Sequence, residues 1–392
     1  MTENLDEWVF SIYGQETYRP GLDRISEAIS LLKPKLQKSR IVTIAGTNGK
    51  GETTHRLSKL LKTHSFCTWT SPHIHQINER FSSENGDISN EELKKLLSHC
   101  HQIAQAKHLQ LSYYEFLFFA FCKWTAERSP KYILLEVGLG GRLDAVNALD
   151  ANLVLLTSIS RDHQEFLGGR YDQILREKLG VLRPSSHLIS FLDLNYLREK
   201  LKQRISSMKI SHLDLEHFGK IPSYEFSKRN QLLAYAAFCH LEGMTFDLDK
   251  WVPTLDPLFS RGEVIRGKND WFLFGSHNVD GMRKLIQLSV SANYNLSNPP
   301  YRAVVSSFSK RNEKDVRTML KMLKQSGLGE IIVTAFDHPK AYPREDLEKL
   351  VLLEGLKFVN DISLYVQGWT HQKILVVGSY YFLGQLKPLF RN

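Results

Sequence analysis

Residues 40–51 read Arg40-Ile41-Val42-Thr43-Ile44-Ala45-Gly46-Thr47-Asn48-Gly49-Lys50-Gly51, and a helical pattern continues through Leu61. The run ending at Ala45 suits a strand buried on both faces. The glycines after it let backbone amides turn toward an anion with no side chain in the way, and the next helix would point its positive end at the same place. Lys50 adds a mobile charge suited to terminal phosphates. A plain glycine-rich strand-to-helix turn is the bland alternative, and Gly46, Gly49 and Gly51 beside a lysine favour the phosphate loop. The loop is a variant. The general pattern asks for glycine where Ile44 stands and for Ser or Thr directly after the lysine, where Gly51 stands, and Glu52, one place further on, occupies a position where a hydroxyl is expected near magnesium. Thr53 is the next hydroxyl in line, and on sequence alone Glu52→Thr is expected to preserve or raise ATP turnover.

Similar apolar runs recur at Tyr132 to Val137, Asn152 to Ser158 and His187 to Phe191, separated by helical patterns. Ser89 with Glu92, and Ser112 with Glu115, have capping-box spacing and mark helix starts. The order reads as α/β: a P-loop-containing, mostly parallel sheet domain. A second series, Trp271 to Phe274, Ala303 to Val305, Glu330 to Thr334 and Lys373 to Val377, predicts a smaller Rossmann-like α/β C-terminal domain. Asp249 to Leu258, with Pro253 and Pro257, is the expected linker, dividing residues 1–256 from 257–392.

The 392 residues exceed one core of roughly 100 to 200, which also argues for two domains. With 42% hydrophobic and 24% charged residues, the composition is that of a globular enzyme rather than a disordered chain. A formal charge of +9 would suit nucleic acid or small polyanions, but the basic residues are scattered and no aromatic-rich RNA motif is present, so nucleotides are preferred over nucleic acid. Cys67, Cys100, Cys122 and Cys239 lie too far apart for a paired zinc or redox motif and read as reduced structural thiols. Glu3, Asp6 and Glu7 make the N-terminus unlike a secretory signal, giving an expectation of a cytoplasmic protein without membrane association. Tyr113 to Ala126 is too short to span a bilayer and reads as a buried helix.

The form Gly-Thr-Asn-Gly-Lys-Gly resembles the phosphate loop of the folylpolyglutamate synthase and dihydrofolate synthase family, within the Mur-ligase superfamily. Thr70-Ser71-Pro72-His73 followed by Ile77-Asn78-Glu79-Arg80-Phe81, the run Glu136-Val137-Gly138-Leu139-Gly140-Gly141-Arg142-Leu143-Asp144-Ala145-Val146-Asn147, Thr157-Ser158-Ile159-Ser160-Arg161-Asp162-His163, and Arg176-Glu177-Lys178-Leu179-Gly180 are similar to family segments in order and spacing. Arg261 with Glu263, His277-Asn278, Lys314-Asp315 and Gly378-Ser379 continue the likeness more weakly.

The resemblance implies an ATP-dependent ligase joining a pteroate or folate carboxylate to L-glutamate through an acyl phosphate. Its cofactors would be ATP and magnesium, with a monovalent cation, and its partners dihydropteroate or a reduced folate and L-glutamate, acting as a monomer. ATP binding would fall to Gly46, Thr47, Asn48, Gly49, Lys50, Gly51, Asn230, Arg261 and His277. Metal would fall to Ser71, Glu136, His163 and a carbamylated Lys178, so that Lys50, Glu136, His163 and Lys178 are the catalytic set. Ser112, Tyr113, Tyr114 and Glu115, with Leu143, Asp144 and Ala145, would line the pterin-bearing substrate.

Each residue also has an ordinary reading. A carboxylate ending a buried strand, as at Glu136, needs a cation or hydrogen-bond donors, and an ion pair would serve as well as a metal. His163 alone is a structural histidine, Lys178 beside Glu177 an exposed helix lysine, Asn230 a helix cap and Arg261 a surface residue. Tyr113 and Tyr114 could be core packing. Phe274 stands where the family motif begins with an ATP-contacting aspartate, and Phe259-Ser260 replace its Pro-Gly. Two rivals follow: a non-catalytic nucleotide-binding member, and a Mur-type cell-wall ligase.

Overall fold

Strand β1 (Arg40–Ala45) is buried from Ile41 onward, so the run read as a two-faced strand is one. A computed structural model describes residues 5–16, 19–219, 221–253, 261–291 and 300–391. These fall into two compact units, residues 1–221 with 227–253, and residues 222–226 with 254–392. The boundary expected near Pro257 lies outside the described residues.

The first unit is built on an eight-stranded sheet: β1, β2 (Phe66–Trp69), β3 (Phe81–Ser83), β4 (Gly86–Asp87), β5 (Tyr132–Glu136), β6 (Leu153–Leu156), β7 (His187–Ser190) and β8 (Ser211–Asp214). The order is β4-β3-β2-β5-β1-β6-β7-β8, with β2, β5, β1, β6, β7 and β8 parallel and only β3 and β4 antiparallel. Chain order reverses about β1, the switch point at which open α/β sheets bind ligands beyond their carboxyl ends. Register does the positioning. Ile44 pairs with Glu136, Ala45 with Leu156, and Trp69 with Leu135. Gly46, Glu136, Thr157 and the Thr70-Ser71 segment therefore emerge side by side at one edge.

Helices cover both faces. Tyr113–Arg128 is buried along almost its whole length, as its apolar sequence requires, with Phe116 through Phe121 and Trp124 in the larger core. Ser112 and Glu115 form the expected capping box at its start. At Ser89 the cap is one-sided: its hydroxyl accepts from the Glu92 amide, while the Glu92 carboxylate accepts from Trp124 Nε1 and Arg128 instead. No helix among the described residues is long and apolar enough to cross a membrane, and all four cysteines are buried free thiols.

The second unit has six strands: β9 (Arg261–Ile265), β10 (Asp270–Phe274), β11 (Ala303–Ser307), β12 (Glu330–Val333), β13 (Lys357–Phe358) and β14 (Lys373–Gly378). Their order is β13-β12-β11-β14-β10-β9, with β9 antiparallel at the edge and the rest parallel.

Candidate active site

The loop after β1 is held from one side by the segment after β6. Thr47 N donates to the Ser158 carbonyl (2.8 Å) and Asn48 N to Ser158 Oγ (3.0 Å). The Thr157 hydroxyl donates to the Asn48 carbonyl (2.6 Å), and Thr47 Oγ1 accepts from the Ser160 amide (3.0 Å). Gly46 has φ +148, and a Cβ there would collide with Thr157 Oγ1. Gly46→Ala is therefore expected to destabilise the protein by about 2 kcal/mol or more and to abolish nucleotide binding, since both strain and a clash oppose it; thermal unfolding with and without ADP measures both.

Lys50 opens the helix Lys50–Leu60 after Gly49, whose φ of +91 is the left-handed conformation glycine allows. Its Nζ donates to the Thr47 carbonyl (3.1 Å), folding the ammonium back over the loop. Glu52 is the surprise. It is buried, with Oε1 accepting from Ser227 Oγ (2.5 Å), Oε2 accepting from Asn230 Nδ2 (2.8 Å), and Arg56 Nη2 at 3.6 Å. A carboxylate so occupied is part of the wall behind the loop, and this reverses the expectation that threonine would do as well. The Thr53 hydroxyl is buried without a hydrogen-bond partner.

Glu136 ends β5 buried, and its Oε2 accepts from the Ser71 backbone amide (3.1 Å). Ser71 Oγ beside it is buried with no hydrogen bond of normal geometry. A hydroxyl left over next to a carboxylate, at the edge of a phosphate loop, is an oxygen donor set that fits magnesium. Among the described residues no three His, Cys, Asp or Glu side chains gather to hold a metal unaided. Hydroxyl, phosphate and water oxygens would have to complete its shell. His163 sits at the start of the short helix Gln164–Leu167 with φ 50 and a half-exposed ring, its amide donating to Asp162 Oδ1 (3.1 Å).

Lys178 differs most from its ordinary reading. It is buried, not exposed, and its Nζ donates to the Gly46 carbonyl (2.9 Å). Burial, with the Lys50 charge adding to it, pulls its pKa down to about 7 against the smaller opposing pull of Asp162 and Asp144. The helix Tyr171–Leu179 reaches the site because Gly141 has no side chain: a Cβ there would press on the Glu177 carbonyl and Lys178 Cα. Arg142 N donates to the Glu177 carbonyl (2.8 Å), joining two segments that the sequence singled out separately.

The two tyrosines part company. Tyr113 is core, 2% exposed, with its hydroxyl bonded to Asp6 and the Arg80 guanidinium 5.7 Å from its ring. Tyr114 is partly exposed; its hydroxyl accepts from Trp69 Nε1 (3.2 Å), donates to Asp144 Oδ1 (3.2 Å) and lies where a Cβ on Gly138 would be. Burial lifts the Asp144 pKa to about 6 despite donors from the Leu139 and Val146 amides and Tyr114. Ser112 and Glu115 cap their helix, and Glu115 is also paired with Arg24 at 3.0 Å. Leu143 is partly exposed and Ala145 buried in the same turn as Asp144. Arg80 and Arg24, absent from the sequence-derived site, brace it through His73, Glu16 and Glu115. Nothing local in the sequence marks those pairs.

In the second unit, His277 Nδ1 lies 3.1 Å from the Gly275 carbonyl, and its ring packs 5.1 Å from that of Tyr380. Asn278 is buried and accepts from the Gly281 amide (2.8 Å), which makes it a turn former. Phe274 closes β10, next to Gly262. The Arg261 side chain and Phe259-Ser260 lie outside the described residues.

No family model matches the chain. It is 24% identical to the dihydrofolate synthase/folylpolyglutamate synthase of Bacillus subtilis in an alignment covering 94% of both chains. It is 35% identical over 196 residues to the protein of the same description from Haemophilus influenzae, spanning 48% of this chain and 43% of that one. Among solved structures, Escherichia coli FolC in complex with DHPP and ADP superposes with a TM-score of 0.79 at 19% identity, covering 99% of this chain and 98% of the other. A bifunctional folylpolyglutamate synthase/dihydrofolate synthase with Mn, AMPPNP and L-glutamate bound gives 0.78 at 20% identity, covering 100% and 99%. The structural likenesses speak for the fold, and the full-length curated likeness speaks for descent. With a glycine-rich loop, a Ser71–Glu136 pair and a buried lysine at the carboxyl ends of one mostly parallel sheet, the chain is similar over nearly its full length to the dihydrofolate synthase/folylpolyglutamate synthases in sequence and shares their fold.

Proposed function

We propose that the protein uses ATP to join a pteroate or folate carboxylate to the amino group of L-glutamate, as a dihydrofolate synthase, a folylpolyglutamate synthase or both. The observation that carries this reading is the braced loop at the switch point of the sheet, with Ser71 and Glu136 on the neighbouring strand ends. The solved relatives hold DHPP with ADP, or AMPPNP with Mn and L-glutamate, and we assign the same classes of ligand here.

A substrate carboxylate oxygen attacks the γ-phosphorus of ATP, ADP departs, and an acyl phosphate results. The glutamate amine then attacks the acyl carbon, phosphate leaves, and the amine proton passes to solvent or a nearby base. No side chain need act as nucleophile. Loop amides and Lys50 offset charge on the transferred phosphoryl group, and Asn230 stands against the same loop. Ser71 and Glu136, with His163 from the segment that follows β6, would hold magnesium, which when bound screens the phosphate oxygens. Tyr114, Leu143, Asp144 and Ala145 offer the flat heterocycle an aromatic face and a carboxyl able to carry a proton near pH 6. Ser112, Tyr113 and Glu115 hold that helix in place behind them. We further assign residues 1–256 to ATP and folate binding and 257–392 to a separate ligase domain, in a monomeric cytoplasmic protein that does not bind nucleic acid.

The test is glutamate-dependent phosphate release from ATP, run separately with dihydropteroate and with tetrahydrofolate. Turnover with either establishes the reading and says which acceptor is used. ADP binding without turnover on both would overturn it in favour of a non-catalytic nucleotide-binding protein.

A further inference from the structure

Glu52 poses a physical problem that the rest of the loop does not. A carboxylate that is 1% exposed is costly unless donors and a cation surround it, and here they do. Ser227 and Asn230 lie on the first two turns of the helix Phe226–Leu241, separated from Glu52 by 175 and 178 positions in the chain, and Arg56 follows one turn along its own helix. A carboxylate only accepts hydrogen bonds, so Glu52 fixes which way the Asn230 amide points: Nδ2 toward Oε2, and Oδ1 away from it. That amide lies directly on Gly49, where any Cβ would collide with Oδ1. Gly49 is the left-handed residue on which the loop turns into its helix.

We propose that Glu52 is a positioning residue of the nucleotide site: it locks the Asn230 amide against Gly49 and so holds the loop in the shape that aims its amides at the β- and γ-phosphates. This rests on the reading of the loop as a nucleotide site, but not on ligase turnover. Threonine at position 52, although it supplies a hydroxyl, is too short to reach Asn230 and takes away the acceptor that three polar side chains share. Glutamine is long enough to accept from Asn230 with its carbonyl oxygen and to donate to Ser227.

Calorimetric titration of the full chain with ADP and with AMP, beside thermal midpoints, tests this. Glu52→Thr and Glu52→Ala should weaken ADP binding about tenfold or more and AMP binding much less, because AMP lacks the phosphates that the loop addresses. Glu52→Gln should stay within about threefold of the unaltered protein. Asn230→Ala should reproduce the ADP loss, and adding Glu52→Thr to it should make matters no worse. Equal losses for ADP and AMP, or ADP binding unchanged in Glu52→Thr with its midpoint retained, overturn the proposal. Should the Thr and Ala variants fail to fold, unchanged ADP binding in Asn230→Ala overturns it alone. An unaltered protein that binds ADP but turns over no substrate leaves this inference standing and removes only the ligase reading; one that binds no ADP removes both.

Discussion

Replacing Lys50 with alanine is expected to lower glutamate-dependent ATP turnover about a thousandfold or more while moving the thermal midpoint little. The two halves of that expectation have separate grounds. Lys50 is only partly buried, and its ammonium donates to the Thr47 carbonyl within its own loop rather than tying distant segments together, so the fold loses little when it goes. Phosphoryl transfer, by contrast, asks the protein mainly for charge at a fixed point, and Lys50 is the full positive charge that begins this loop's helix. Lys50→Arg is a sharper probe. It keeps the charge but replaces a compact ammonium with a wide planar fork, and should lose most of the activity for want of room beside Gly46 and Thr47. Steady-state rates, with ADP binding measured in parallel, decide the matter: activity within tenfold of normal in Lys50→Ala would remove the lysine from the chemistry.

Where sequence could be read and where it could not follows from the range of the forces involved. β1 was legible because Ile41 to Ala45 is a continuous run buried on both faces, and the glycines after it obey rules of local backbone geometry. β2 was missed: Phe66-Cys67-Thr68-Trp69 is wholly buried, but four residues with a threonine make no apolar run. β3 and β4 are short and serine- or glycine-bearing, and β9 is an antiparallel edge. The segments of the candidate site stand out in the sequence as motifs, yet the partners of their side chains lie far along the chain. Glu52 looked like a fault in the loop because its neighbours in sequence offer no reason for a carboxylate; its reasons are Ser227 and Asn230. Tyr113 and Tyr114 are adjacent, and only the packing of their helix sends one to Asp6 and the other to Asp144.

Lys178 combines both lessons, and its replacement carries the other large expected effect. Beside Glu177 the sequence shows an ordinary helix lysine; the missing side chain at Gly141 lets its helix close in, and the amine ends up buried against the Gly46 carbonyl. With its pKa near 7 rather than 10.5, the folded state binds that proton less tightly than the unfolded chain does. Stability from this group therefore rises with pH between about 7 and 10.5, and below about 7 the fold carries the full penalty of a buried cation. The same shift makes the neutral amine roughly a thousandfold more abundant at neutral pH than in a free lysine, and the neutral amine is the form that combines with carbon dioxide. A carbamate would keep one N–H for the Gly46 carbonyl and turn the group into an anion, favoured by Lys50 and opposed by Asp144 and Asp162 until a divalent cation offsets them. We therefore expect 13C-labelled bicarbonate to give a protein-bound carbamate resonance that grows from pH 6.5 to 8.5, strengthens with magnesium and disappears in Lys178→Met. Turnover in that variant should fall about a hundredfold or more, while its stability no longer rises with pH across the same range. A silent spectrum in the unaltered protein would instead leave Lys178 as an amine that holds the first residue of the phosphate loop.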